Sequence, residues 1–76
     1  WINKNNCLYR KFVFKNFIEA FSFISKVALI SEKLDHHPTW SNTYNIVEIS
    51  LSTHDANNTI TEKDYILSKK IDEILF

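Results

Sequence analysis

The stretch Tyr44-Asn45-Ile46-Val47-Glu48-Ile49-Ser50-Leu51-Ser52-Thr53 (residues 44–53) holds the clearest alternation in the chain. Val47, Ile49 and Leu51 share one parity, and Glu48, Ser50 and Ser52 share the other. A period of two belongs to a strand that lays one face on a core and turns the other to water. His54 continues the polar parity, so it projects away from the apolar face or sits just past the strand end. Beyond it, Asp55-Ala56-Asn57-Asn58 reads as a turn and Thr59-Ile60 as a short edge strand. Thr61-Glu62-Lys63-Asp64 then opens a helix, with Thr61 as N-cap and Asp64 in the place of the usual capping-box Glu. Ile60 and Tyr65 are spaced to staple that start, and Leu67, Ile71, Ile74 and Leu75 make its apolar stripe.

Upstream, Pro38 and the polar run after it end a long helical pattern. That helix starts at Asn16, a capping residue with Glu19 three positions on, and runs to about Lys33. Phe17, Ala20, Phe21, Ile24, Val27 and Ala28 form its stripe, while Ile18 and Leu29 lie outside it and predict a second covered face. Leu8 to Phe14 reads as a strand with Leu8, Phe12 and Phe14 on one side. The order strand–helix–strand–(strand)–helix, with no linker or repeat, predicts one α+β domain over residues 1–76. Its helices pack on one face of a small antiparallel sheet.

Composition narrows the class further. A chain of 76 residues buries only about 60% of its unfolded surface, so its core is marginal without a staple. The lone Cys7 cannot close an internal disulfide, which points to a reducing compartment and to association between copies as added stability. Nine basic and nine acidic residues cancel, and the longest basic runs are the pairs Arg10–Lys11 and Lys69–Lys70. Binding to nucleic acid or an anionic membrane through charge is therefore not expected. No apolar run approaches the roughly 20 residues of a membrane span, and no apolar segment follows Lys4 as in a secretion signal. Glycine is absent, so asparagine is expected where the backbone must turn left-handed.

The chemistry concentrates in two places, Asp35-His36-His37-Pro38 and Thr53-His54-Asp55, which hold all three histidines. Each lies at an element end, where a side chain reaches a cleft, and each has a carboxylate beside it. Imidazole is the usual proton-transfer group near neutral pH. Pro38 stiffens the backbone behind the pair. Trp40 and Tyr44 read as core residues or, for Trp40, as a platform for a flat heterocycle. A zinc site is disfavoured, since adjacent histidines rarely meet one ion and no HxH, HxxxH or CxxC spacing occurs. No serine or cysteine has the setting of an activated nucleophile.

These residues carry a resemblance. Glu32-Lys33-Leu34-Asp35-His36-His37-Pro38-x-Trp40, followed by Tyr44-Asn45-x-Val47-x-Ile49-x-Leu51-Ser52-Thr53-His54-Asp55, closely resembles the pterin-4a-carbinolamine dehydratase family. In animals its members also serve as dimerisation cofactors of a homeodomain transcription factor. The likeness extends back through Arg10-x-Phe12-x-Phe14-Lys15-x-Phe17 and Ala20-Phe21, and forward through Thr61-x-x-Asp64, so it covers essentially the whole chain.

The resemblance implies a dehydratase that converts 4a-hydroxytetrahydropterin (4a-hydroxytetrahydrobiopterin) to quinonoid dihydropterin in tetrahydrobiopterin recycling. It implies histidine general acid–base catalysis with no metal and no organic cofactor. By position, His36, His37 and His54 are the catalytic residues, with His36 and His54 at the 4a-carbon and His37 positioning the ring. Asp35, Pro38, Trp40, Thr53 and Asp55 border or bind the pterin. The expected assembly is a homodimer or homotetramer, in the cytoplasm and, for a coactivator, also in the nucleus. The competing expectation is a non-catalytic oligomerisation or coactivator module working through Ile18, Phe23 and Leu29. Two departures from the family stand out. Asn57-Asn58 replaces a shorter glycine-containing turn, and the chain starts at the tryptophan that follows an N-terminal helix in longer members.

Overall fold

In the computed structural model, which describes residues 1–75, the alternating segment forms strand β4 (Ile46–Leu51) near the centre of a four-stranded antiparallel sheet. The other strands are β1 (Ile2–Lys4), β2 (Cys7–Val13) and β3 (Thr39–Thr43), in the spatial order β1-β2-β4-β3. Register follows the apolar parity: Leu8 pairs with Leu51 and Phe12 with Val47, so the two central strands present one apolar face together. Helices α1 (Phe17–Leu34) and α2 (Glu62–Glu73) cover that face and close a single apolar core. Val47, Ile49, Leu51, Leu67 and Ile71 are fully buried in it. At about 25 cal/mol per Å² of apolar surface, this burial is the main stabilising term.

The sheet has two strands that the alternation does not reveal, and both are edges. Ile2-Asn3-Lys4 pairs with β2 through the Asn5-Asn6 turn, where both residues are left-handed (φ 54° and 61°). That is the geometry of a two-residue hairpin turn normally given to Asn-Gly. Residues 39–43, expected as loop after Pro38, form β3 and pair with β4 from Thr39↔Ser50 to Thr43↔Ile46. The strand expected from Tyr44 begins only at Ile46, because Tyr44 (φ 52°) and Asn45 are the turn joining β3 to β4. Thr59-Ile60 is not a strand: Thr59 makes one isolated bridge, to Thr53.

Both helix starts match their sequence signals. Asn16 Oδ1 accepts the Glu19 N–H at 2.9 Å, and Asp64 Oδ2 accepts the Thr61 N–H at 2.8 Å. The face that α1 buries is rotated from the expected stripe. Ala20, Phe23, Ile24, Val27 and Ser31 point at the sheet, whereas Phe17 and Phe21 stay about half exposed. Phe23, expected on the outer surface, is 4% exposed and packs against Phe12 and Phe14 at centroid distances of 4.8 and 5.0 Å. Phe17 and Phe21 lie beside each other instead, 5.7 Å apart, on the side that also carries exposed Ile18. At α2, Ile60 packs on the core but Tyr65 remains exposed.

Candidate active site

Three element ends converge at one end of the sheet: the C-terminus of α1, the exit of β4 and the N-terminus of α2. Helix α1 stops at Leu34 because Asp35 turns left-handed (φ 52°). The Asp35 N–H then reaches Glu32 O at 3.2 Å and the His36 N–H reaches Ser31 O at 3.0 Å. This paired closure is the Schellman motif, with aspartate in the usual glycine position. It reverses the chain sharply, and Pro38 bars any return to helix. On the other side, β4 ends at Leu51 and Thr53 enters a 3₁₀ turn over His54–Ala56. Asn57 and Asn58 (φ 57° and 56°) complete the turn, asparagine again serving where glycine is absent.

The convergence encloses a cleft of about 260 Å³. Its walls include His36, His37 and His54, with Asp35 and Asp55. Ser52, Thr53 and Lys63 complete it. Pro38 and Trp40 are not among its lining residues. Trp40 sits on edge strand β3 opposite Ile49 and is 39% exposed, and Pro38 is half-buried.

The histidines differ in how firmly they are held. His36 Nε2 lies 2.5 Å from Asp64 Oδ1, and the two side chains are 12% and 0% exposed. An ionised carboxylate only accepts, so Nε2 carries the proton, and Nδ1 is the nitrogen left to exchange one. Asp64 is fixed from its other oxygen: Oδ2 accepts from Thr53 Oγ1 and from the Thr61 N–H, both at 2.8 Å. Thr53 and Thr61 hydroxyls also bond each other at 2.5 Å. A buried carboxylate is costly unless its lone pairs are filled, and here three donors fill them. His37 is more open, with Nε2 2.9 Å from Glu32 Oε1 across the last turn of α1. His54 Nδ1 is 3.3 Å from Asn58 Oδ1 within its own turn. One imidazole is thus rigid and two can adjust to a ligand.

Asp64 is the residue that sequence reasoning assigned only a capping role. Its burial and its bond to His36 depend on the docking of α2 against the end of α1, which no local pattern encodes. Ser52 and Lys63 were likewise not singled out: Ser52 is one member of the polar parity of β4, and Lys63 looks like an ordinary charge in a helix start. Among the described residues, no group of three His, Cys, Asp or Glu side chains is arranged to hold a metal ion. No helix among them is long and apolar enough to cross a membrane.

Fold and site together define a small α+β domain with a histidine–carboxylate cleft where its helices meet one end of the sheet. The family model for pterin 4 alpha carbinolamine dehydratase matches residues 1–74, and the chain belongs to that family. A protein of Prochlorococcus marinus (strain NATL2A) named "Putative pterin-4-alpha-carbinolamine dehydratase" is 53% identical over 75 residues, covering 99% of this chain and 78% of the relative. One of Afipia carboxidovorans with the same name is 55% identical over 65 residues, covering 86% of this chain and 64% of the relative. Among solved structures, a "transcriptional coactivator/pterin dehydratase" of Brucella melitensis superposes with a TM-score of 0.87 at 42% identity, covering 96% of this chain and 77% of that one.

Proposed function

We propose that the protein dehydrates 4a-hydroxytetrahydropterin to quinonoid dihydropterin, with its histidines as general acid and base, in the recycling of tetrahydrobiopterin. The observation that carries this reading is the His36–Asp64 pair, a buried carboxylate holding one imidazole rigid at a cleft that two further histidines line. The reaction breaks the bond between C4a and its hydroxyl oxygen, which leaves as water after gaining a proton. N5 loses its proton, and the C4a–N5 double bond forms. Nothing is oxidised or reduced, so one group that gives a proton and one that takes it suffice. His36 and His54 are assigned to these two transfers and His37 to holding the ring. Asp35 and the Thr53–Asp55 backbone supply hydrogen bonds to the edge of the heterocycle, and Asp55 borders it.

Pro38 and Trp40 belong to this reading at one remove, as the rigid exit behind the histidine pair and the rim beyond it. Replacing His36 and His54 together by alanine in a folded protein should reduce the rate to that of the uncatalysed reaction. Retention of more than about a tenth of the wild-type rate would remove the histidines from the chemistry.

A second reading has its own support. Phe17, Ile18, Phe21 and Leu29 leave apolar surface exposed on α1, which favours a homodimer or homotetramer and is also what a non-catalytic oligomerisation or coactivator module would use. The working surface is then Phe17 and Phe21 in place of the buried Phe23. A cytoplasmic location fits the unpaired Cys7.

A further inference from the structure

Thr53 is part of the cleft wall, yet each of its hydrogen-bonding groups is engaged within the protein. Its N–H donates to Thr59 O at 2.8 Å, and its carbonyl accepts the Ala56 N–H at 3.1 Å. Its hydroxyl oxygen lies 2.8 Å from Asp64 Oδ2 and 2.5 Å from Thr61 Oγ1. The residue is 6% exposed and Asp64 is wholly buried, so bulk water does not replace a donor lost there.

Counting hydrogens fixes the direction of these bonds. An ionised carboxylate carries none, so the hydrogen between Thr53 and Asp64 belongs to Thr53, whose hydroxyl has only one. The hydrogen between Thr53 and Thr61 must then come from Thr61. The line runs one way, from the Thr61 hydroxyl to the Thr53 hydroxyl to Asp64 Oδ2, while His36 Nε2–H donates to Oδ1. Thr61 is the N-cap of α2, Thr53 follows the exit of β4 and His36 follows the end of α1. One line of donors thus ties together the element ends that form the cleft. The bridge to Thr59 and the 3₁₀ turn hold the Thr53 backbone there without help from its side chain.

We infer that Thr53 is a positioning residue of the reaction, its hydroxyl keeping Asp64 charged and aimed so that His36 holds its proton on Nε2 and works through Nδ1. The inference rests on the dehydratase reading and adds to it the group that sets which nitrogen of His36 reacts. A donor aimed at a carboxylate favours the charged form, and hydrogen bonds in a chain strengthen one another. Thr61, by donating to Thr53, leaves the Thr53 hydroxyl a single orientation. Without the Thr53 hydrogen, Asp64 Oδ2 keeps the Thr61 N–H alone. The carboxylate then loses its aim or competes for the Nε2 proton, and the imidazole is free to carry its proton on Nδ1, the nitrogen the reaction needs open.

The test compares Thr53→Val, which keeps the shape and removes the hydroxyl, with Thr53→Ser, which removes the methyl and keeps the hydroxyl. Thr53→Val should lower kcat about tenfold with KM within about twofold of wild type, because no side-chain contact with substrate is lost. Thr53→Ser should recover kcat to within about threefold of wild type. The ring nitrogens of His36, followed by nitrogen NMR without substrate, should show the proton on Nε2 in the wild-type and Thr53→Ser proteins and partly on Nδ1 in Thr53→Val. Thr61→Val, which frees the Thr53 hydroxyl to rotate, should move that proton in the same direction and serves in place of Thr53→Val if the latter does not fold. Equal losses of kcat in Thr53→Val and Thr53→Ser would make the effect one of packing and overturn the inference. So would a folded hydroxyl-free variant with wild-type kcat, or with the His36 proton still wholly on Nε2. Failure of the wild-type protein to dehydrate the pterin would remove the dehydratase reading and the part given to Thr53 with it; the nitrogen measurement, which needs no substrate, tells that failure from the others.

Discussion

Replacing Asp64 by asparagine tests the link between fold and chemistry at its tightest point. The side chain keeps its shape but loses its charge and gains two amide hydrogens. One carboxylate oxygen faces His36 Nε2, and the other faces Thr53 Oγ1 and the Thr61 N–H. If the amide nitrogen faces His36, the imidazole must move its proton to Nδ1, the nitrogen otherwise free to exchange with a ligand. If it faces Thr61 instead, two donors oppose each other at the start of α2. Either way one charge-assisted bond is lost, at about 1.5–3 kcal/mol. A domain of 76 residues has on the order of 4–11 kcal/mol in all. A loss of about 2 kcal/mol lowers Tm by roughly 8–16 °C in a protein this small. The protein stays folded at room temperature, so activity remains measurable. With the wrong tautomer favoured, kcat should fall about a hundredfold or more while KM changes little. Thermal melts followed by circular dichroism give the first number and the dehydratase assay the second. A folded Asp64→Asn protein with kcat within about twofold of wild type would refute the role given to the His36–Asp64 pair.

Three further outcomes follow from other parts of the molecule. Tyr9 donates to Glu48 Oε1 on the open face of the sheet, and that hydrogen bond, with burial and the Glu48 charge, raises its pKa above the ordinary 10.0. A raised folded value means the contact stabilises below the unfolded value and is lost as pH climbs through the folded one. Phenolate absorbance should therefore show Tyr9 titrating above an unperturbed tyrosine, and Glu48→Gln should lower it. Asn57→Ala removes the short polar side chain that lets asparagine tolerate φ 57° and should cost about 1 kcal/mol in urea unfolding, whereas Tyr44→Asn, at φ 52° on an exposed turn, should gain a few tenths to about 1 kcal/mol. Substituting Phe17 and Phe21 together by serine should shift sedimentation toward the monomer, since both are exposed, and should leave the melting temperature of that monomer nearly unchanged.

What the sequence made legible was whatever a single element decides by itself. Val47, Ile49 and Leu51 needed only their own alternation, and Asn16 and Thr61 only their own caps. The edge strands escaped because Ile2-Asn3-Lys4 and Thr39-Trp40-Ser41-Asn42-Thr43 bury almost nothing, so neither carries a periodic apolar face. The rotation of α1 escaped because its aromatic residues lie on more than one side. Spacing accommodates a stripe through Phe17 and Phe21 as readily as one through Phe23, and only the fit of Phe23 between Phe12 and Phe14 chooses. The three histidines were legible as a group, since each lies at an element end that the chain's own punctuation marks. The partner of His36 was not. Asp64 satisfies a local capping rule completely through Oδ2, and Oδ1 becomes informative only once His36 is brought to it. Where glycine was missing, the substitution was readable in part. Asn57-Asn58 takes the left-handed conformation expected of it, and the same solution recurs at Asn5-Asn6 and, with aspartate, at Asp35.

The proposed reaction of this cleft is the loss of water from a 4a-hydroxytetrahydropterin. The direct measurement is the rate at which quinonoid dihydropterin forms from freshly generated 4a-hydroxytetrahydropterin, with and without the protein, near neutral pH. The rate should rise in proportion to protein concentration and disappear in the His36→Ala, His54→Ala double variant. A wild-type rate equal to the uncatalysed one would contradict it.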